Sequence, residues 1–298
     1  MVVTYYYSVA GFIFGLILPA GQDVEELLPS LRSFQRTDVG NEPQLFTFHA
    51  EGSMPTAQDR ERLLEESLTD LGHMRLWQCA CGYCMEVRDE ASQCWHVLYA
   101  QADFGRVWAT LCWADPQVGS VLSAMLRASL SQALLPHGAL SVHAAAVVLG
   151  GAAYLFMGKS GTGKSTHARL WMKRYPDCML LNDDNPVLRL QDGRVWAYGT
   201  PWSGKTPCYR PLCFPVRGIV RLYQAQANRY VPCQDVQAFA ALLPGCSVVP
   251  GRHQLYQQMT GTLTQVAMLV RVGLLECLPD DEAACLCARS LGAEGAVE

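Results

Sequence analysis

The sequence predicts an α/β protein: a mixed sheet flanked by helices and carrying a phosphate loop, preceded by a smaller, strand-rich α+β unit. Three observations lead there. The run Gly158-Lys159-Ser160-Gly161-Thr162-Gly163-Lys164-Ser165 satisfies the spacing G-x-x-x-x-G-K-[ST] at every fixed position. Ala152–Met157 before it is an uninterrupted apolar run of strand length. After it, Lys164–Tyr175 lacks Gly and Pro and repeats Ala168, Trp171 and Met172 at helical spacing. Last, residues 1–135 are divided into short apolar segments bounded by turn residues, the pattern of strands.

Composition narrows the classes of function. Half the residues are apolar and only 17% are charged, which excludes a disordered chain. The net charge is −4 and no run of Lys or Arg occurs, so nothing favours nucleic acid or an anionic membrane surface as a partner. The apolar stretch Val9–Ala20 has no basic residue before it and is short for a membrane span, so it reads as one or two strands around a turn. The expected location is the cytoplasm, with the 13 cysteines mostly reduced, buried and acting as small hydrophobes. Cys79, Cys81 and Cys84, with Cys94, His73 and His96 nearby, have the alternation of a strand better than the spacing of a zinc knuckle. Structural thiols are therefore preferred, and a metal site is the alternative.

In chain order, residues 1–135 are expected to hold strands at Thr4–Val9, Phe12–Leu18, Leu45–His49, Leu76–Val87, Cys94–Tyr99 and Val107–Trp113. The 76–87 and 94–99 segments pair across a turn at Asp89-Glu90-Ala91-Ser92. A charged helix is expected over Gln58–Leu71, where Glu, Arg and Leu are all good helix formers. A second helix, Gln117–Leu135, carries Val118, Val121, Leu122, Met125, Leu126 and Leu130 as a core-facing stripe, and Pro136-His137-Gly138 ends it. Residues 136–298 read as the nucleotide-binding unit: strand Ser141–Leu149, a Gly150-Gly151 turn, strand Ala152–Met157, loop, helix, then strand Cys178–Leu181. Beyond Arg210 follow a strand at Ile219–Tyr223, helices near Val236–Leu243 and Leu255–Leu269, a strand near Gly273–Leu278 and a helix at Asp280–Leu291.

The chemistry expected of the loop is anion binding. Gly158, Gly161 and Gly163 reach backbone angles that place successive N–H groups around a phosphate, and the following helix adds its positive end. Residues 158–166, Lys159, Ser160, Thr162 and Thr166 included, form the nucleotide cradle. Lys164 serves the outer phosphates and Ser165 offers a hydroxyl to magnesium. A second constellation, Asn182-Asp183-Asp184, closes an apolar strand with paired carboxylates: one suits a metal, the other an incoming hydroxyl's proton. A solvated turn is the bland alternative. His143, taken alone, is a satisfied core histidine. The loop Gly199–Lys205, with Trp202 and Lys205, is either a tight turn or a substrate loop.

Ser141-Val142-His143-Ala144, the 158–165 loop and Asn182-Asp183-Asp184 together resemble the C-terminal catalytic domain of HPr serine kinases. More loosely they are similar to the nucleotide domain of ATP-dependent phosphoenolpyruvate carboxykinases. Thr162–Trp171 and Gly199–Lys205 look like shorter HPr-kinase-related proteins of bacteria, some encoded with peptide-modifying enzymes. The resemblance covers about residues 139–225 and leaves 1–135 without a match. It implies an HPr kinase/phosphoenolpyruvate carboxykinase-like fold in which Asp183 is the general base, Asp184 and Ser165 are magnesium ligands, and His143 orients a phosphate or the acid pair. Ala144 departs from the glycine that usually follows the family's histidine, and in place of the arginine-rich segment that binds HPr only Arg217-Gly218 lies in a comparable position, so HPr itself is not the expected acceptor.

The expectation is therefore an ATP- and magnesium-dependent kinase acting on a serine of a protein or peptide, or on a small-molecule hydroxyl. Residues 1–135 would select the acceptor, and homo-oligomeric assembly is compatible with the chain. The alternatives are a carboxykinase-like enzyme and a non-catalytic nucleotide-binding scaffold or sensor.

Overall fold

The computed structural model describes residues 2–52, 59–89, 93–251 and 253–293. The chain divides into two compact units, Met1–Leu134 with Val249–His253, and Leu135–Val248 with Gln254–Glu298.

In the first unit the described residues form a mixed sheet. Its strands are β1 (Val2–Val9), β2 (Phe12–Pro19), β3 (Gln35–Arg36), β4 (Gln44–His49), β5 (Arg60–Thr69), β6 (Gly72–Cys79), β7 (Gly82–Arg88), β8 (Trp95–Gln101) and β9 (Arg106–Thr110). They lie in the order β3-β1-β2-β4-β9-β8-β7-β6-β5. A short helix α1 (Val24–Leu27) and the long α2 (Val118–Ala133) accompany it, and α2 buries the stripe from Val118 to Leu130.

Two sequence expectations fail here. The helix expected over Gln58–Leu71 is strand β5, paired with β6 from Arg60↔Cys79 to Thr69↔Gly72 (Gln58 itself lies outside the described residues). Its helix formers are overridden by cross-strand pairing, and β5 is the outermost strand of the sheet. There Arg60, Glu61, Arg62, Glu65 and Glu66 leave a charged edge that resists further strand addition. Likewise, the single strand expected over Leu76–Val87 is a hairpin broken at Ala80-Cys81. Its partner β8 pairs from Arg88↔Trp95, and of the turn expected at 89–92, residues 90–92 lie outside the described residues.

Cys79 and Cys84 are buried with Tyr99, whereas Cys81 sits exposed in the turn. Cys94 meets Cys112 instead (Sγ–Sγ 2.7 Å), His96 pairs with buried Asp115 (2.9 Å), and His73 pairs with Glu66 (2.9 Å).

The second unit is a mixed sheet of β10 (Ala139–Ser141), β11 (Ala144–Leu149), β12 (Ala152–Met157), β13 (Met179–Asn182), β14 (Val187–Gln191), β15 (Arg194–Tyr198), β16 (Cys213–Gln224), β17 (Arg229–Cys233) and β18 (Arg271–Cys277). Helices α3 (Lys164–Arg174), α4 (Asp235–Leu242), α5 (His253–Leu269) and α6 (Asp281–Leu291) complete it. The hairpin β14–β15 turns on Asp192-Gly193, both at positive φ, a turn chemistry visible in the sequence but not assigned to strands there.

Part of this sheet sets up the site. β11 is antiparallel to both β12 and β13, so β12 and β13 run the same way. β16 is parallel to β12, and β18 to β16. Four parallel carboxyl ends therefore share one edge in the order β13, β12, β16, β18, with the start of β11 between the first two. Beneath that edge, α3 and α6 cover one face through Ala168, Trp171, Ala284 and Cys287. Trp171 anchors α3 to β12, with Tyr154 and Phe156 at 5.1 and 5.3 Å between ring centroids. Such aromatic contacts add about 1 kcal/mol each beyond area burial.

Candidate functional site

The loop between β12 and α3 has the shape its glycines permit. Gly163 caps α3 in the left-handed region (φ 100°), an angle a side chain would oppose. The first turn of α3 holds no acidic residue, while Lys173 and Arg174 occupy the last. The helix thus leaves its positive end open to an anion and balances its negative end internally. Lys164 is mostly buried, and its ammonium donates to the carbonyls of Gly158 (3.1 Å) and Lys159 (3.2 Å). Burial lowers its pKa, while Asp184 and Asp183 act in the opposite direction. The lysine and the acid pair therefore feel one another across the strand edge.

The acid pair closes β13, two strand spacings from β12, or about 10 Å. Asp183 is 4% exposed. Its Oδ2 accepts from the Thr206 amide (3.2 Å), while Oδ1 is buried with no hydrogen-bond partner among the described residues. Leaving a buried carboxylate oxygen unmatched costs about 1–3 kcal/mol, so such an atom needs a partner, whether a water, an ion or a substrate group. Asp184 is more open. Its Oδ1 lies 3.0 Å from His143 Nδ1, and its Oδ2 accepts from the Asn185 side chain.

His143 is not the core residue its apolar surroundings suggested. The expected strand 141–149 is interrupted at Val142-His143, where Val142 bridges Cys246 and the His143 amide donates to Gly245. That break turns the imidazole outward, with its side chain 41% exposed, toward Asp184.

The loop Gly199–Lys205 is pinned rather than free. Asn182, fully buried, donates to the carbonyls of Thr200 (3.3 Å) and Trp202 (3.0 Å) and accepts from the amides of Asp184 (3.0 Å) and Asn185 (2.8 Å). Gly204 packs so closely that an added Cβ would sit 3.0 Å from the Asp183 carbonyl. Trp202 is buried and Lys205 is exposed, flanked by the two residues that touch Asp183. Reasoning from sequence set Asn182 beside the aspartates and Gly204 in the 199–205 loop without giving either a role, and missed Thr206, because their roles rest on contacts across about 20 residues. The available signal was an asparagine at a buried strand end directly before two aspartates. Asn182→Ala is expected to lower the unfolding free energy in urea by about 3 kcal/mol, because several buried groups lose partners together.

His167, on the inner face of α3, has no part in this chemistry. It accepts from Trp171 Nε1 (3.1 Å), and burial holds its pKa down at about 4. Above pH 6.5 it is neutral in both folded and unfolded chains. As pH falls from 6.5 to 4, only the unfolded chain gains the proton, so stability is lost, by about 3 kcal/mol in all. His167→Gln should flatten that part of the melting-temperature profile against pH.

No protein-family model matches the chain, and no curated protein does. Among solved structures, the Hpr(Ser) kinase/phosphatase from Coxiella burnetii matches at 12% identity, over 52% of this chain and 90% of that one, with a TM-score of 0.33. A likeness that loose carries no weight for function.

Proposed function

We propose that the chain is a phosphotransferase that moves the terminal phosphoryl group of ATP to a hydroxyl, on a serine of a protein or peptide or on a small molecule. The observation that carries this reading is Asp183 Oδ1: a buried, unmatched carboxylate oxygen on the same strand edge as a phosphate loop and its lysine.

The roles follow from the geometry. Amides of residues 158–165 and the end of α3 hold the phosphates, and Lys164 leaves its two carbonyls to meet the outer ones. Asp183, fixed by Thr206, takes the hydroxyl proton at Oδ1 while the alcohol oxygen bonds to phosphorus and the bridge to the β-phosphate breaks. Asp184, turned by His143, and Ser165 offer the oxygen donors that magnesium prefers. Bound there, the ion would neutralise charge on the outer phosphates. Lys205 brings a further cation on a loop held against Asp183.

Incubation with γ-labelled ATP tests the reading. Label should pass to a hydroxyl acceptor, or slowly to water, at a rate that Asp183→Asn lowers by about 10²–10⁴-fold. ATP bound tightly but recovered intact with every acceptor would make the chain a nucleotide-binding scaffold instead.

A further inference from the structure

The acid pair fixes the direction in which a triphosphate must lie. Its reacting end belongs on the β13 side of the phosphate loop, next to Asp183 and His143, so the nucleoside must extend the other way, over the carboxyl ends of β16 and β18. Two large apolar side chains are exposed at those ends. Tyr223, in β16, is 43% exposed, and Leu278, just past β18, is 38% exposed. The ladder sets Tyr223 against Glu276 and Gln224 against Cys277, which brings Leu278 to the same end of the sheet.

Hydrogen bonds fix the Tyr223 ring and the Leu278 backbone. Arg221 Nε donates to the Tyr223 hydroxyl (2.9 Å), its guanidinium lies 5.7 Å from the ring centroid, and the Ala241 carbonyl holds it in turn (3.1 Å). The Leu278 amide donates to Asn228 Oδ1 (2.9 Å), and Asn228 donates to Asp280 (3.0 Å). Gln224 ties this strand end to the phosphate loop, donating to the Gly161 carbonyl (3.2 Å).

We infer that Tyr223 and Leu278 form the nucleobase subsite, in which the base of the nucleoside triphosphate stacks on the Tyr223 ring with Leu278 along its edge. The inference rests on the phosphotransferase reading for its direction. An aromatic ring immobilised before binding loses little entropy on contact, and stacking is tolerant of base identity because every base has a π-face. The site should therefore accept ATP and GTP with similar affinity.

Titration calorimetry with ATP and with inorganic tripolyphosphate separates the two readings. Tyr223→Ala should weaken ATP about tenfold and leave tripolyphosphate unchanged, while Tyr223→Phe, which keeps the stacking face, should bind ATP as wild type does. The subsite is wrong if Tyr223→Ala binds ATP normally, or if it weakens both ligands equally. If instead tripolyphosphate fails to bind the wild type, or binds Lys164→Ala equally well, the phosphate loop itself is misassigned.

Discussion

Lys164→Ala is expected to reduce ATP affinity about a hundredfold or more by calorimetry, with the fold retained. Hydrogen bonds from a charged donor contribute about 1.5–3 kcal/mol each, and the lysine is positioned to make more than one to the outer phosphates. The fold should survive because, among the described residues, the ammonium donates to the carbonyls of Gly158 and Lys159 and to no other group. Burial already works against its charge, so removing it relieves a cost as well as breaking two bonds. Thermal denaturation should therefore show little loss of stability. Unchanged ATP affinity in a folded variant would remove the phosphate-loop assignment.

The second large effect is kinetic. Asp183→Asn should slow phosphoryl transfer by about 10²–10⁴-fold, the usual contribution of a positioned base. ATP affinity should stay within a few-fold of wild type, because the amide still accepts from Thr206 and the loop is untouched. A loss of binding without a loss of turnover at saturation would place Asp183 among the nucleotide ligands. Wild-type turnover would exclude it as the base.

How far the sequence could be read depended on how local each feature is. The strand, glycine loop and helix start were legible because they are consecutive, and the positive φ of the glycines follows from residue type. The aspartates were legible as a strand-end pair. Their distance from the loop was not, because it depends on β11 running antiparallel between β12 and β13. Read from its apolar neighbours alone, His143 looked like a core residue, because the strand break fixed by Gly245 and Cys246 lies far along the chain; only the family resemblance set it beside the acid pair. In the first unit, β5 shows helix propensity losing to a neighbouring strand, since its Glu, Arg and Leu residues favour a helix until Gly72–Cys79 pairs alongside, with Leu63 opposite Trp77 and Leu68 opposite His73. Asn182 looked like turn composition because its hydrogen bonds go to a loop 18 and 20 residues away.

Everything proposed depends on one triphosphate reaching from the glycine loop to Asp183. The direct measurement is a crystal structure with magnesium and a non-hydrolysable ATP analogue. The phosphates should lie on the amides of residues 158–165, with the γ-phosphate directed toward the β13 edge and Asp183 Oδ1 facing its open side. A γ-phosphate pointing away from Asp183, or an analogue seated elsewhere, would contradict the account.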